Sequence, residues 1–77
     1  MISPRQVKAA RALLDWDQKA LAAASGLSLP TVQRMETLGL ERSSAGNVAK
    51  LRGALEAAGV EFTNGDAPGV RLRKAQP

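Results

Sequence analysis

Two helix-start signals, one arriving just after the other's helix has ended, constrain this chain more than any other feature. Asp17-Gln18-Lys19-Ala20-Leu21 opens the first stretch, Gly26 closes it, and Ser28-Leu29-Pro30-Thr31-Val32 opens the second. Asp and Ser are capping residues, because a side-chain oxygen accepts a hydrogen bond from a free first-turn amide. Glycine takes the left-handed conformation in which helices end. Pro30 falls in a first turn, where a missing amide donor costs little. With Asp17 as cap, Trp16 and Leu21 occupy the two positions of a hydrophobic staple, and Leu27 and Val32 repeat the arrangement. The spacing therefore predicts two short helices, 18–25 and 29–37, separated by a turn at Gly26 with Leu27 buried beside it.

The flanking chain supplies more helix. Ser3-Pro4-Arg5-Gln6 combines a cap, a proline at the first helical position and a glutamine that completes a capping box. Val7, Ala10 and Leu14 share one face, with Leu13 nearby, so a first helix is expected over 4–14 with Asp15 at its exit. Residues 38–43 read as a loop. Ser43 or Ser44 caps a fourth helix, whose buried stripe is expected at Val48, Leu51, Leu55 and Ala58 and which Gly59 closes. Gly46 and Gly53 weaken that helix somewhat. Val60-Glu61-Phe62 and Val70-Arg71-Leu72 then alternate apolar and polar residues around the turn-rich Asn64–Gly69, which predicts a short hairpin. The expected organisation is a helical domain over 1–59, a C-terminal β-hairpin over 60–73 and a frayed basic tail over 74–77.

Composition narrows the function. A chain of 77 residues holds one core, and it has neither cysteine nor histidine. Disulfides, thiolate metal sites and the commonest general base are therefore excluded. Asp15 and Asp17 have no histidine or cysteine partner and no glycine-rich phosphate loop is present, so neither an enzyme nor a cofactor or metal site is expected. Eleven Lys and Arg against seven Asp and Glu give a net charge of +4, which suits a polyanionic partner. Trp16 and Phe62 are the only aromatics, too few for binding by base stacking. No apolar run approaches the roughly 20 residues of a membrane span, and no signal-peptide core is visible. The expectation is a soluble cytoplasmic protein with no membrane partner.

Asp17-Gln18-Lys19-Ala20-Leu21-Ala22, Ser25-Gly26-Leu27-Ser28 and Thr31-Val32-Gln33-Arg34-Met35-Glu36 together resemble the phage-repressor-like helix-turn-helix of the xenobiotic response element family of transcriptional regulators. The resemblance covers about residues 4–58. Gln18, Ala22, Gly26, the aliphatic Val32 and Glu36 stand in register. It implies a mainly α fold, a lambda-repressor-like domain of four or five helices, from which this chain departs in having about four helices and the hairpin in place of any fifth. It also implies site residues. Gln18 corresponds to a glutamine that contacts the DNA backbone or orients the recognition helix. Ser28, Leu29, Pro30 and Gln33 correspond to base-facing positions and Thr31 to a phosphate-side one. Arg11 and Glu36 correspond to a structural ion pair.

Docking physics points the same way. In a helix-turn-helix, the second helix offers its N-terminal side chains to base edges in the major groove. Leu29, Pro30, Gln33 and Arg34 are the expected exposed positions, with Val32 and Met35 turned inward. Gln33 can bond an adenine edge, Arg34 can reach guanine or phosphate, and Leu29 or Pro30 can touch a thymine methyl. Arg42 follows at a phosphate-contact position. Arg71, Arg73 and Lys74 read as a solvated charge run. The expected function is sequence-specific binding of double-stranded DNA in transcriptional control, as a homodimer joined through the hairpin. The alternative is a protein-interaction module, an antitoxin or anti-activator built on the same scaffold, which an exposed apolar patch on the fourth helix or the hairpin would favour.

Overall fold

The computed structural model describes residues 2–64 and 68–73. Four helices are followed by a two-stranded antiparallel hairpin. Helix α1 spans Pro4–Leu14 and opens on a complete capping box. Ser3 Oγ accepts from the Gln6 amide at 3.2 Å, and Gln6 Oε1 accepts from the Ser3 amide at 2.8 Å. The helix ends at Asp15, whose φ of 59° is left-handed without being glycine, a conformation that Asp tolerates better than most residues.

Helices α2 (Gln18–Ser25) and α3 (Leu29–Leu38) are each capped at the N-terminus by a side chain. Asp17 accepts from the Ala20 amide at 2.8 Å and Ser28 from the Thr31 amide at 3.2 Å. Gly26 ends α2 at φ 73°. Leu27 is only half-buried, packed against the core rather than enclosed by it.

The segment 38–43 is more structured than a loop. Leu38 is the last residue of α3, Gly39 turns the chain at φ 100°, and Leu40–Arg42 form one turn of 3₁₀ helix. That turn drops Leu40 into the core with no exposed surface. Helix α4 (Ala45–Ala57) is capped by Ser44, not Ser43. Its buried stripe is shorter than the sequence pattern suggests. Leu51 and Leu55 are buried and Val48 is half-buried, but Ala58 is exposed, because the helix ends at Ala57 and the chain turns away.

Strand β1 (Val60–Thr63) pairs with β2 (Gly69–Leu72) in the register Val60 with Leu72 and Phe62 with Val70. Residues 65–67 of the turn and the expected basic tail 74–77 lie outside the described residues.

One core joins all of these elements. Val7 and Ala10 of α1, Leu21 of α2, Val32 and Met35 of α3, Leu40, Leu51 and Leu55 of α4, and Val60 of β1 are each 2% exposed or less. Burying an aliphatic side chain of this size contributes about 1.5–3 kcal/mol. The hairpin is thus part of the same packed cluster, with Phe62 and Val70 against it.

Candidate nucleic-acid interface

The face of α3 that looks outward is set by what looks inward. Val32, Met35 and Glu36 are buried, so Pro30, Gln33, Arg34 and Thr37 are left on the solvent side. Those positions are three or four apart and form one continuous face. Ser28 is exposed at the head of this face and Thr31 is half-buried beside it. Leu29 departs from the expectation of exposure. It is half-buried and packs against the core, because the first turn of α3 lies close over the body of the domain.

The N-terminus of α3 offers less to an anion than most helix starts. Pro30 has no amide proton, and the Thr31 amide is engaged by Ser28. The Ser28 hydroxyl also lies 2.8 Å from Thr31 Oγ1 as donor, which leaves the Thr31 hydroxyl proton free to reach outward. The Leu29 amide and the helix dipole supply the remaining attraction for phosphate.

Behind that face, one carboxylate joins three helices. Glu36, buried on α3, accepts from Arg11 Nε at Oε2 and from Arg11 Nη2 at Oε1, both at 2.8 Å. Two parallel bonds of this kind fix the angle between the groups as well as the distance. Gln18, at the start of α2, donates from Nε2 to the same Oε1 at 3.2 Å. Arg11 also donates from Nη1 to the Trp16 carbonyl at 3.3 Å, which ties down the link between α1 and α2. A carboxylate only accepts, so the Gln18 amide must turn its nitrogen inward. Its carbonyl oxygen and second N–H remain for other partners. No buried side-chain nitrogen or oxygen among the described residues lacks a partner.

The cations divide into two groups. Arg11, Arg52 and Arg71 are paired with Glu36, Glu56 and Glu61. Among the described residues, Lys19 of α2, Arg34 of α3 and Arg42 of the 3₁₀ turn take part in no ion pair and are exposed. Arg5 and Lys8 of α1 and Lys50 of α4 also form no ion pair with another described residue. Arg71 and Arg73 are not simply solvated charges: Arg71 pairs with Glu61, and Arg73 donates to the Glu56 carbonyl at 2.9 Å. Lys74 lies outside the described residues.

Sequence reasoning did not single out Gln6 beyond its capping role. The structure buries it, and its Nε2 donates to Thr63 O at 3.1 Å and Gly69 O at 3.0 Å. It also did not foresee Arg52, whose guanidinium lies 5.5 Å from the centre of the Phe62 ring. Both partners are distant in sequence, so no local pattern signals them. No helix among the described residues is long and apolar enough to cross a membrane.

A family model described as helix-turn-helix matches residues 7–57, from the first turn of α1 to the end of α4. No curated protein matches the chain.

Proposed function

The chain belongs to the Cro/CI-type helix-turn-helix family of DNA-binding transcriptional regulators, and from that premise we propose that it recognises a specific sequence of double-stranded DNA with α3 in the major groove. The observation that carries this reading is the outward face of α3, with Pro30, Gln33 and Arg34 exposed and the helix braced from behind by Glu36. Gln33 reads a base edge, with adenine its natural partner, and Arg34 reaches guanine or phosphate. Pro30 supplies apolar contact, and Leu29 supplies less because it is half-buried. Ser28 stands at the base-facing head of this helix, and Thr31, Gln18 and Arg42 serve the phosphates, Gln18 through the N–H that Glu36 leaves free. The role is non-enzymatic and is exercised on the chromosome.

A single helix-turn-helix touches few bases, and dimers gain specificity by reading two half-sites about one helical turn apart. In this reading, residues 1–59 bind DNA and residues 60–73 support self-association through the hairpin. Among the described residues its two strands have no third neighbour, and Leu72 is 44% exposed. Selection of bound sequences from random duplexes at a stated salt concentration tests the proposal. Recovery of no enriched motif would overturn sequence-specific recognition. A second reading, a protein-interaction module acting as an antitoxin or anti-activator, draws on the same exposed Leu72 together with Leu38 at the end of α3. The exposed residues of α4 include no large apolar side chain, which disfavours a partner docked there.

A further inference from the structure

Helix α1 carries two long-range polar clamps. Gln6 holds the hairpin through Thr63 O and Gly69 O, and Arg11 holds α3 through Glu36. Both sit on one helix, Pro4–Leu14, so hairpin and recognition helix are referred to a common rod.

The two ends of the hairpin are fixed differently. The end that continues from α4 is set by chain connection, by the Arg73 amide on Gly59 O at 2.7 Å and by the buried Val60. The turn end closes on the pair Thr63 and Gly69, and those are the two carbonyls that Gln6 bonds. Phe62 and Val70 pack against the core, but apolar contact is non-directional and resists separation better than rocking. Two directed hydrogen bonds from one amide fix an angle.

We propose that Gln6 is a positioning residue, setting the angle of the hairpin to the recognition helix and so, in a dimer joined through the hairpins, the separation of the two recognition helices. This rests on the self-association reading above. A two-stranded hairpin is marginal by itself; core packing of Val60, Phe62 and Val70 holds this one to the domain, and Gln6 adds the directed bonds that set its angle.

The test uses the full chain and duplexes carrying two copies of the selected half-site. Their spacing is varied in single base-pair steps around one helical turn, with a single half-site duplex alongside. Gln6→Glu preserves the capping box, because a carboxylate still accepts from the Ser3 amide, but it sets that carboxylate against two carbonyl oxygens. Gln6→Met keeps the bulk without the donor and serves if the first variant does not fold. Ser3→Ala weakens the cap and leaves the clamp in place.

Wild type is expected to favour one spacing about tenfold or more, as linked binding requires. Both Gln6 variants are expected to lose that preference while keeping single half-site affinity within about twofold, and their hairpin amides should exchange about tenfold faster. Ser3→Ala should keep the spacing preference. Wild type without any preference overturns the self-association reading and this inference with it. A wild-type preference that survives in the Gln6 variants, unchanged exchange in the hairpin, or an equal loss in Ser3→Ala overturns the role of Gln6 alone.

Discussion

Arg11 and Glu36 meet in a two-bond fork, 2.8 Å at each bond, between α1 and α3. The Glu36 side chain is 2% exposed and that of Arg11 19%. Removing one member of such a pair strands the other. Arg11→Met is therefore expected to lower stability by about 3 kcal/mol, near the bottom of the range for broken buried pairs because Arg11 keeps some solvent contact. Thermal unfolding checks it. A loss below about 1 kcal/mol, the level of surface pairs, would show that the fork does not hold α1 to α3.

Gln18 shares the oxygen Oε1 of Glu36 with Arg11. Gln18→Ala is expected to weaken DNA binding by about fivefold, equivalent to about 1 kcal/mol for one hydrogen bond, and to do so equally for all sequences. Gln18→Glu should be worse, since a second carboxylate would face Glu36. Binding titrations against the selected duplex and a scrambled one distinguish a phosphate role from base reading. If Gln18→Ala binds both as tightly as wild type, Gln18 is only a brace.

Gln33 and Arg42 should fail in different ways. Gln33→Ala is expected to relax preference at one base position by about 1–3 kcal/mol. Arg42→Ala should weaken binding to every duplex and lower the salt slope of log K by about 0.9. The two effects are read from binding isotherms over a salt series. A Gln33→Ala variant with unchanged base preference would falsify the assignment of α3 as the reading helix.

Gly26 tests the turn by itself. A Cβ there would meet nothing within 4 Å, so steric crowding is not at issue, but its φ is 73°. Gly26→Ala is expected to cost about 1 kcal/mol through backbone conformation alone. A synthetic chain with D-alanine at this position should recover the stability or exceed it. If the L- and D-forms melt together, the left-handed turn does not limit stability.

Much of the fold was legible because its signals are local. Ser3, Asp17, Ser28 and Ser44 each cap the helix that follows, and Gly26 takes the left-handed form that ends α2. The match of residues 7–57 to the helix-turn-helix family agrees with the resemblance carried by Gln18, Gly26, Val32 and Glu36. What escaped is long-range. Leu40 looked like a loop leucine because its burial depends on Gly39 turning the chain back over the core. Gln6 looked like a capping residue because its hairpin partners lie 57 and 63 positions away. Leu29 looked exposed on a helical wheel, which knows nothing of the body beneath the first turn.

The three-way joint at Glu36 has a consequence for how this domain can change. The outward side chains Pro30, Gln33 and Arg34 contribute nothing to the buried core, and the helix that bears them is anchored from its opposite side. Under the proposed function, folding and target choice are thus written on separate surfaces of one helix. New combinations at these positions can be screened without rebuilding the scaffold, which makes the domain a chassis whose preference can drift or be redirected while its architecture stays put.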